Sequence, residues 1–247
     1  MSSLETLRKF RYAHRGYHDK PVIPENSIPA FRRAIERGWG AEFDVHLLKD
    51  GSLVVFHDNE LKRCTGAEGV IEALNLAEVK ELRLEGTEAQ IPTFDEVLAL
   101  FEDSGLPLII ELKHYKKNHM ELATAVAKRL DTYKGDFCIE SFDPRVVNDF
   151  RKLRPDVIRG QLSRDFTQDP YGMSTMNVFL MTDLCFMPFN KPHFVAYKFE
   201  DRMNEKNQRA IANGIQPVSW TIRTKEDMLQ AESEGAMVIF ECFDPDE

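Results

Sequence analysis

The stretch EFDVHLLKDGSLVVFHD, residues 42–58, sets two carboxylates, Glu42 and Asp44, two positions apart in a run with the composition of a strand. Alternate strand residues share a face, so the two acids stand side by side. Asp50-Gly51 then signals a tight turn, and the returning run ends on His57-Asp58. A third acid, Glu111, lies at the end of the apolar run PLIIELK (107–113), and a second histidine, His14, near the end of FRYAHRG (10–16). Carboxylates that meet at one place repel unless a cation lies among them. An all-oxygen set suits Mg²⁺ or Ca²⁺, with water and substrate oxygens completing the shell. Any one of these acids alone reads better as an exposed strand residue paired with Lys or Arg. Three at strand ends do not.

His14 and His57 supply the proton chemistry such a centre needs. Imidazole titrates near neutral pH, and two of them flanking a metal-bound phosphate can act as base and acid. Arg15 and Lys113 add positive charge: a guanidinium grips a phosphate with two hydrogen bonds, and an ammonium acts as a point charge. The bland alternative for these two is a rim salt bridge to the same carboxylates. His18, His46, His114, His119 and His193 read as structural, although His46 shares the face of Glu42 and Asp44 by parity.

Positioning these groups takes elements that end at one place. Strand patterns fall at 10–16, 41–48, 107–113, 136–142, 158–163, 193–199, 216–223 and 236–243, with a hairpin return at 52–58. Helical patterns lie between them at 26–38, 93–105, 118–133, 144–154, 203–213 and 224–235. In NSIPAFRRAIERG, Ile28, Phe31, Ala34 and Ile35 form one apolar stripe behind a Ser27 N-cap. Eight strand–helix alternations predict an α/β fold, a (β/α)₈ TIM barrel in one domain spanning 1–247. A small insertion at about 59–92 follows the second strand and its hairpin; its one helical pattern is at 75–82. Active sites of such barrels sit at the C-terminal strand ends, and the polar residues cluster there: His14-Arg15, Glu111 to Lys113, Glu140-Ser141, and Trp220 to Arg223.

The bulk composition limits the partners. Of 247 residues, 43% are hydrophobic and 30% charged, an ordered globular balance; 32 basic against 41 acidic side chains give a net charge of −9. That disfavours a nucleic-acid partner, which requires a basic face, and a polybasic membrane anchor. Attraction for an anion must come from local cations or a metal. Cys64, Cys138, Cys185 and Cys242 are scattered, without CxxC or Cys/His clustering, and read as reduced thiols. No signal-peptide pattern opens the chain, and no run approaches the ~18 apolar residues of a membrane span. The expectation is a cytoplasmic protein.

In order along the chain, AHRG (13–16), PENSIPAF (24–31), EFDV (42–45), KDGSLVVFHD (49–58), LKRCTG (61–66), IPTFDEVL (91–98), IIELK (109–113) and VSWTIRT (218–224) resemble the glycerophosphodiester phosphodiesterase family. The family pattern runs HR, ENT, ExD, HD, ExK and a late WT, and the resemblance covers almost the whole chain. It implies a TIM barrel that uses a divalent cation to hydrolyse glycerophosphodiesters to glycerol 3-phosphate and an alcohol. Position by position, it puts the metal on Glu42, Asp44 and Glu111, acid–base catalysis on His14 and His57, and phosphate binding on Arg15 and Lys113. The nucleophile is water or the substrate's own neighbouring hydroxyl, the latter through a cyclic phosphate. Which histidine is acid and which base stays open. Phe142 and Trp220 are candidates for an apolar wall against the glycerol carbons, or else barrel packing.

Three features depart from the pattern. ENT is ENS here, which keeps the N-cap hydroxyl. Arg223 stands where the family often has asparagine, and an ion pair with Glu140 or Glu241 is the expected use. The ending VIFECFDPDE lacks the family's TD-x-P. The short, mostly polar insertion suggests an open site tolerant of several head groups. Two alternatives remain: a phospholipase-D-like or lysophospholipid-cleaving barrel acting on intact lipid, and a barrel that binds a phosphodiester without cleaving it.

Overall fold

Eight parallel strands close on themselves in the computed structural model, which describes residues 2–170 and 172–247. They are β1 (Tyr12–His14), β2 (Gly40–Leu47), β4 (Leu108–Leu112), β5 (Phe137–Ser141), β6 (Arg159–Ser163), β7 (Phe194–Lys198), β8 (Gln216–Ile222) and β9 (Met237–Phe240). Each pairs with the next, and β1 joins both β2 and β9 to shut the barrel. The remaining strand, β3 (Leu53–Val55), runs antiparallel to the upper half of β2, with Val55 opposite Val45. β1 is only three residues long, so β3 pairs the edge that β1 leaves bare.

Around the barrel lie α1 (Leu4–Leu7), α2 (Ile28–Glu36), α3 (Lys62–Thr65), α4 (Leu76–Lys80), α5 (Phe94–Glu102), α6 (His119–Leu130), α7 (Pro144–Leu153), α8 (Thr175–Thr182), α9 (Met187–Asn190), α10 (Glu205–Ala212) and α11 (Lys225–Ser233). The caps expected from sequence form: Ser27 accepts from the Ala30 amide, and Thr93 with Glu96 makes a capping box on α5. Phe31 of α2 meets Phe43 and Phe101 edge-on, tying helix to strand and to α5. Burying each such ring contributes roughly 1.5–3 kcal/mol.

Strand parity sorts the side chains into two cores. Phe43, Val45, Ile110 and Ile139 point outward and pack under the helices. Ile109, Cys138, Leu162, Phe194 and Val218 point inward and fill the lower barrel. α1 closes that lower end, with Leu7 fully buried and its carbonyl accepting from the Tyr12 hydroxyl at 2.9 Å. Toward the C-terminal strand ends the inward positions are Glu42, Asp44, Glu111 and Glu140, so the barrel interior turns from apolar to charged there.

Gly160 on β6 shows how tightly the lower core is filled: a Cβ there would overlap the Phe194 ring. Gly160→Ala should therefore destabilise the fold by about 1–3 kcal/mol through overpacking. The readout is a melting temperature lowered by roughly 2–4 °C per kcal/mol at this chain length. An unchanged melt would show that Phe194 has room to move.

Residues 59–92 leave the barrel rhythm after β3. They form α3, a 3₁₀ turn at Ile71–Ala73 and α4. Leu61, Cys64, Ile71, Val79, Leu84 and Ile91 pack there on Leu48, Val54 and Phe56 in a cluster of their own. Two further elements, α8 and α9, lie between β6 and β7, where no helical stripe was legible. Met176, Phe179 and Phe189 are exposed at 64%, 53% and 49%. Apolar residues therefore face solvent as well as core, and that erases the amphipathic period. All four cysteines are free thiols, and no described helix is long and apolar enough to cross a membrane.

Candidate active site

Glu42 and Asp44 point into the barrel mouth from β2, and the register Asp44–Glu111–Glu140 across β2, β4 and β5 continues the row. Ligand oxygens of Glu42, Asp44 and Glu111 all lie within 4.8 Å of one another, and each of the three residues is at most 6% exposed. Burial, reinforced by Asp44, Glu111 and Glu140, pushes the Glu42 carboxyl well up. Burial and Asp44 raise Glu111 to about 7 against the pull of Lys113. At Asp44 burial is outweighed by Lys113, His57 and Arg15 and by the hydrogen bond from Asn26, which hold it well below its usual range. Glu140 is raised by burial and by Glu111, and its Oε2 is buried without a hydrogen-bond partner.

Two cations reach this row. Lys113 Nζ lies 2.8 Å from Glu111 and 3.1 Å from Asp44, which outweigh its burial and keep it charged. Arg15 Nε lies 3.5 Å from Asp44, while its Nη1 donates to Glu25 at 2.8 Å. Buried acids thus outnumber the cations between them. An all-oxygen, acid-rich set of this kind fits a hard divalent cation. Without one, the raised Glu42 and Glu111 take up protons instead.

The turn after β1 is shaped around this set. Arg15 (φ 54°) and Gly16 (φ 77°) are both left-handed, which turns the Arg15 amide onto Glu42 Oε2 at 3.2 Å. A non-glycine residue in this region is uncommon. A Cβ on Gly16 would lie 2.9 Å from the Ala30 backbone, so glycine is needed for the approach to α2. Asn26 of the ENS motif donates to Asp44 Oδ2 at 2.8 Å and fixes that carboxylate.

Both histidines reach the same mouth. His57, after β3, pairs through Nδ1 with Asp58 at 2.5 Å. Arg63 of α3 clamps Asp58 through Nε and Nη2 at 2.6 and 2.9 Å, and also bonds buried Glu25. His14 pairs through Nδ1 with Glu241 at 2.5 Å, and its Nε2 lies 3.9 Å from Glu42. Burial, with Arg15 beside one ring and Lys113 beside the other, lowers His14 to about 4 and His57 to about 3. Both rings are neutral at pH 7, each with Nδ1 engaged and Nε2 left for chemistry.

A cavity of about 480 Å³ opens over this arrangement, lined by His57, Asn59, Glu60, Glu111, Lys113 and Phe142 among others. Phe142 packs edge-on against Trp220 (5.6 Å) and Phe166 (6.1 Å), and Lys113 Nζ lies 6.0 Å above the Phe142 ring. Trp220 is anchored by its indole N–H on the Ala196 carbonyl at 3.0 Å. The aromatic wall therefore borders the cation–acid cluster while also packing on the barrel core.

All nine residues singled out from sequence lie at this end of the barrel. Several others there were not singled out. Glu25, Arg63 and Asp58 lie within the quoted motifs, but nothing local in the sequence assigns them a role. Glu241 is expected from sequence only as a partner of Arg223, and its contact with His14 has no local signal. His46 is fully buried, with Nδ1 on Glu72 at 2.8 Å and Nε2 on the His57 carbonyl at 3.3 Å, so it braces the His57 loop from beneath. His119 pairs with Asp149 and His114 with Asp143, at 2.6 and 3.1 Å. Arg223 pairs with Glu241 at 2.7 Å, one of the two partners expected.

A family model described as the glycerophosphoryl diester phosphodiesterase family matches residues 14–246. A glycerophosphodiester phosphodiesterase of Caldanaerobacter subterraneus subsp. tengcongensis is 31% identical over 225 residues, covering 87% of this chain and 86% of that protein. A solved glycerophosphodiester phosphodiesterase from Thermotoga maritima has a TM-score of 0.71 at 28% identity, over 94% of this chain and 93% of that one. An Oleispira antarctica phosphodiesterase, solved in complex with the product sn-glycerol-3-phosphate, shares the fold at a TM-score of 0.79 and 23% identity, over 96% and 94% of the two chains.

Proposed function

The chain belongs to the glycerophosphoryl diester phosphodiesterase family, and from that membership we propose that it hydrolyses glycerophosphodiesters to sn-glycerol 3-phosphate and an alcohol with a divalent cation, Mg²⁺ or Ca²⁺, and two histidines. The observation that carries this reading is the convergence of Glu42, Asp44 and Glu111 within 4.8 Å at the mouth where both neutral imidazoles end. When bound, the cation would neutralise phosphate oxygens and stabilise the charge that builds in the transition state.

The chain's own residues do the rest. Arg15 and Lys113 hold the phosphodiester, and Lys113, which burial and paired acids keep charged, faces the cavity. One imidazole takes the proton of the attacking hydroxyl, from water or the neighbouring glycerol hydroxyl, at its free Nε2. A new P–O bond forms as the bond to the alcohol breaks. The other imidazole takes up a proton from solvent before that step and delivers it from Nε2 to the departing alkoxide; where the glycerol hydroxyl is the attacker, water then opens the cyclic phosphate to sn-glycerol 3-phosphate. Asp58 and Glu241 stabilise the imidazolium in each case. Phe142 and Trp220 line the path of the glycerol carbons, and the open cavity beside Asn59 and Glu60 admits head groups of several sizes.

The test is release of sn-glycerol 3-phosphate from glycerophosphocholine and glycerophosphoethanolamine, run with Mg²⁺, with Ca²⁺ and with a chelator. Release that chelator abolishes and added cation restores is expected. Release from neither diester with either cation, or release indifferent to chelator, contradicts the reading.

A further inference from the structure

His14 and His57 are held alike: each engages a carboxylate through Nδ1, and each carboxylate has a guanidinium behind it. For His57 the partners, Asp58 and Arg63, are near neighbours in sequence. For His14 the carboxylate comes from 227 residues away, where β9 closes the barrel against β1. Glu241 Oε2 accepts from His14 Nδ1 at 2.5 Å and lies 3.5 Å from His18 Nε2, while Oε1 accepts from Arg223 at 2.7 Å. The Glu241 amide bonds the Ile222 carbonyl at 2.9 Å, which pins the side chain's origin to the end of β8. Arg223 stands where the family often has asparagine, and Glu241 lies in the ending that lacks the family's TD-x-P.

We propose that Glu241, set by Arg223, is a positioning residue for His14: it fixes the Nδ1–H tautomer and turns Nε2 toward the Glu42 side of the site. This rests on the reading that His14 moves a proton. The three groups His14, His18 and Glu241 also come within 4.8 Å as a potential metal set. Two donors on one ion at about 2.0–2.2 Å stand about 3 Å or more apart. A 2.5 Å separation holds a proton between His14 and Glu241, and leaves the ion no room.

Replacing Glu241 by its isostere should change the tautomer without changing the packing. A glutamine amide can donate to Nδ1, which moves the ring proton to Nε2 and removes the base. In the serine-protease triad the equivalent change costs about 10⁴ in kcat. Here Glu241→Gln should lower kcat about 10²-fold with KM within about two-fold. Glu241→Asp, shorter but charged, should retain more activity than Glu241→Gln; a packing role predicts the reverse order. Adding Glu241→Gln to His14→Ala should cost nothing further. ¹⁵N spectra of labelled enzyme should show the His14 proton on Nδ1 in wild type and on Nε2 in Glu241→Gln. Near-wild-type kcat in Glu241→Gln beside an inactive His14→Ala overturns the clamp alone. Full activity of His14→Ala overturns the clamp together with the reading beneath it.

Discussion

His14→Ala and His57→Ala should each lower release of sn-glycerol 3-phosphate by about 10³- to 10⁴-fold in kcat, with melting temperatures close to wild type. General acid–base catalysis by a positioned side chain is worth about 10²–10⁴. The upper part of that range applies because both rings are neutral and preorganised, His14 by Glu241 and His57 by Asp58 and Arg63. Neither ring is part of an apolar cluster, and their side chains are 14% and 30% exposed, so truncation leaves no large cavity. KM should change little, because phosphate binding falls to Arg15 and Lys113. A loss confined to KM in either variant would move that histidine from proton transfer to binding.

Removing one carboxylate of the acid row should separate stability from activity. Saturating cation at about 100 times its Kd stabilises a folded protein by about 2.7 kcal/mol. At roughly 2–4 °C per kcal/mol, the wild-type melting temperature should rise by roughly 5–11 °C on adding Mg²⁺ or Ca²⁺. Glu42→Gln keeps the volume but loses one of three buried carboxylates within 4.8 Å. Without cation its melt should match or exceed that of wild type, because the cation-free wild type must hold this buried acid protonated against its ordinary pKa and glutamine is neutral from the start. With cation the gain should vanish, the metal titration midpoint should rise by more than about 100-fold, and product release should fall with it. A cation-induced gain of wild-type size in Glu42→Gln would place the ion elsewhere.

The parts legible in the sequence are those set by local pattern. Glu42 and Asp44 could be placed on one face because strand parity is strict, and the eight strands could be found because their bodies are apolar and their ends are not. The ordered motifs then matched a known family along almost the whole chain. Contacts that depend on barrel closure were not legible. Glu241 reaches His14 only because β9 pairs with β1, and nothing local to VIFECF marks it. His46 shares the acid face by parity and reads as structural, and its partners, Glu72 of the insertion and the His57 carbonyl, could not be named from sequence. α8 escaped because its exposed Met176 and Phe179 blur the apolar stripe.

Where the cation sits decides the chemistry of the site. Crystals grown with Mn²⁺ and sn-glycerol 3-phosphate, measured at the manganese edge, locate the ion directly by its anomalous signal. The predicted result is a single strong peak ligated by Glu42, Asp44 and Glu111, with product oxygens completing the shell and Lys113 and Arg15 on the phosphate. A peak on His14, His18 and Glu241 instead, with the three acids bare, would contradict both the metal centre and the histidine roles built around it.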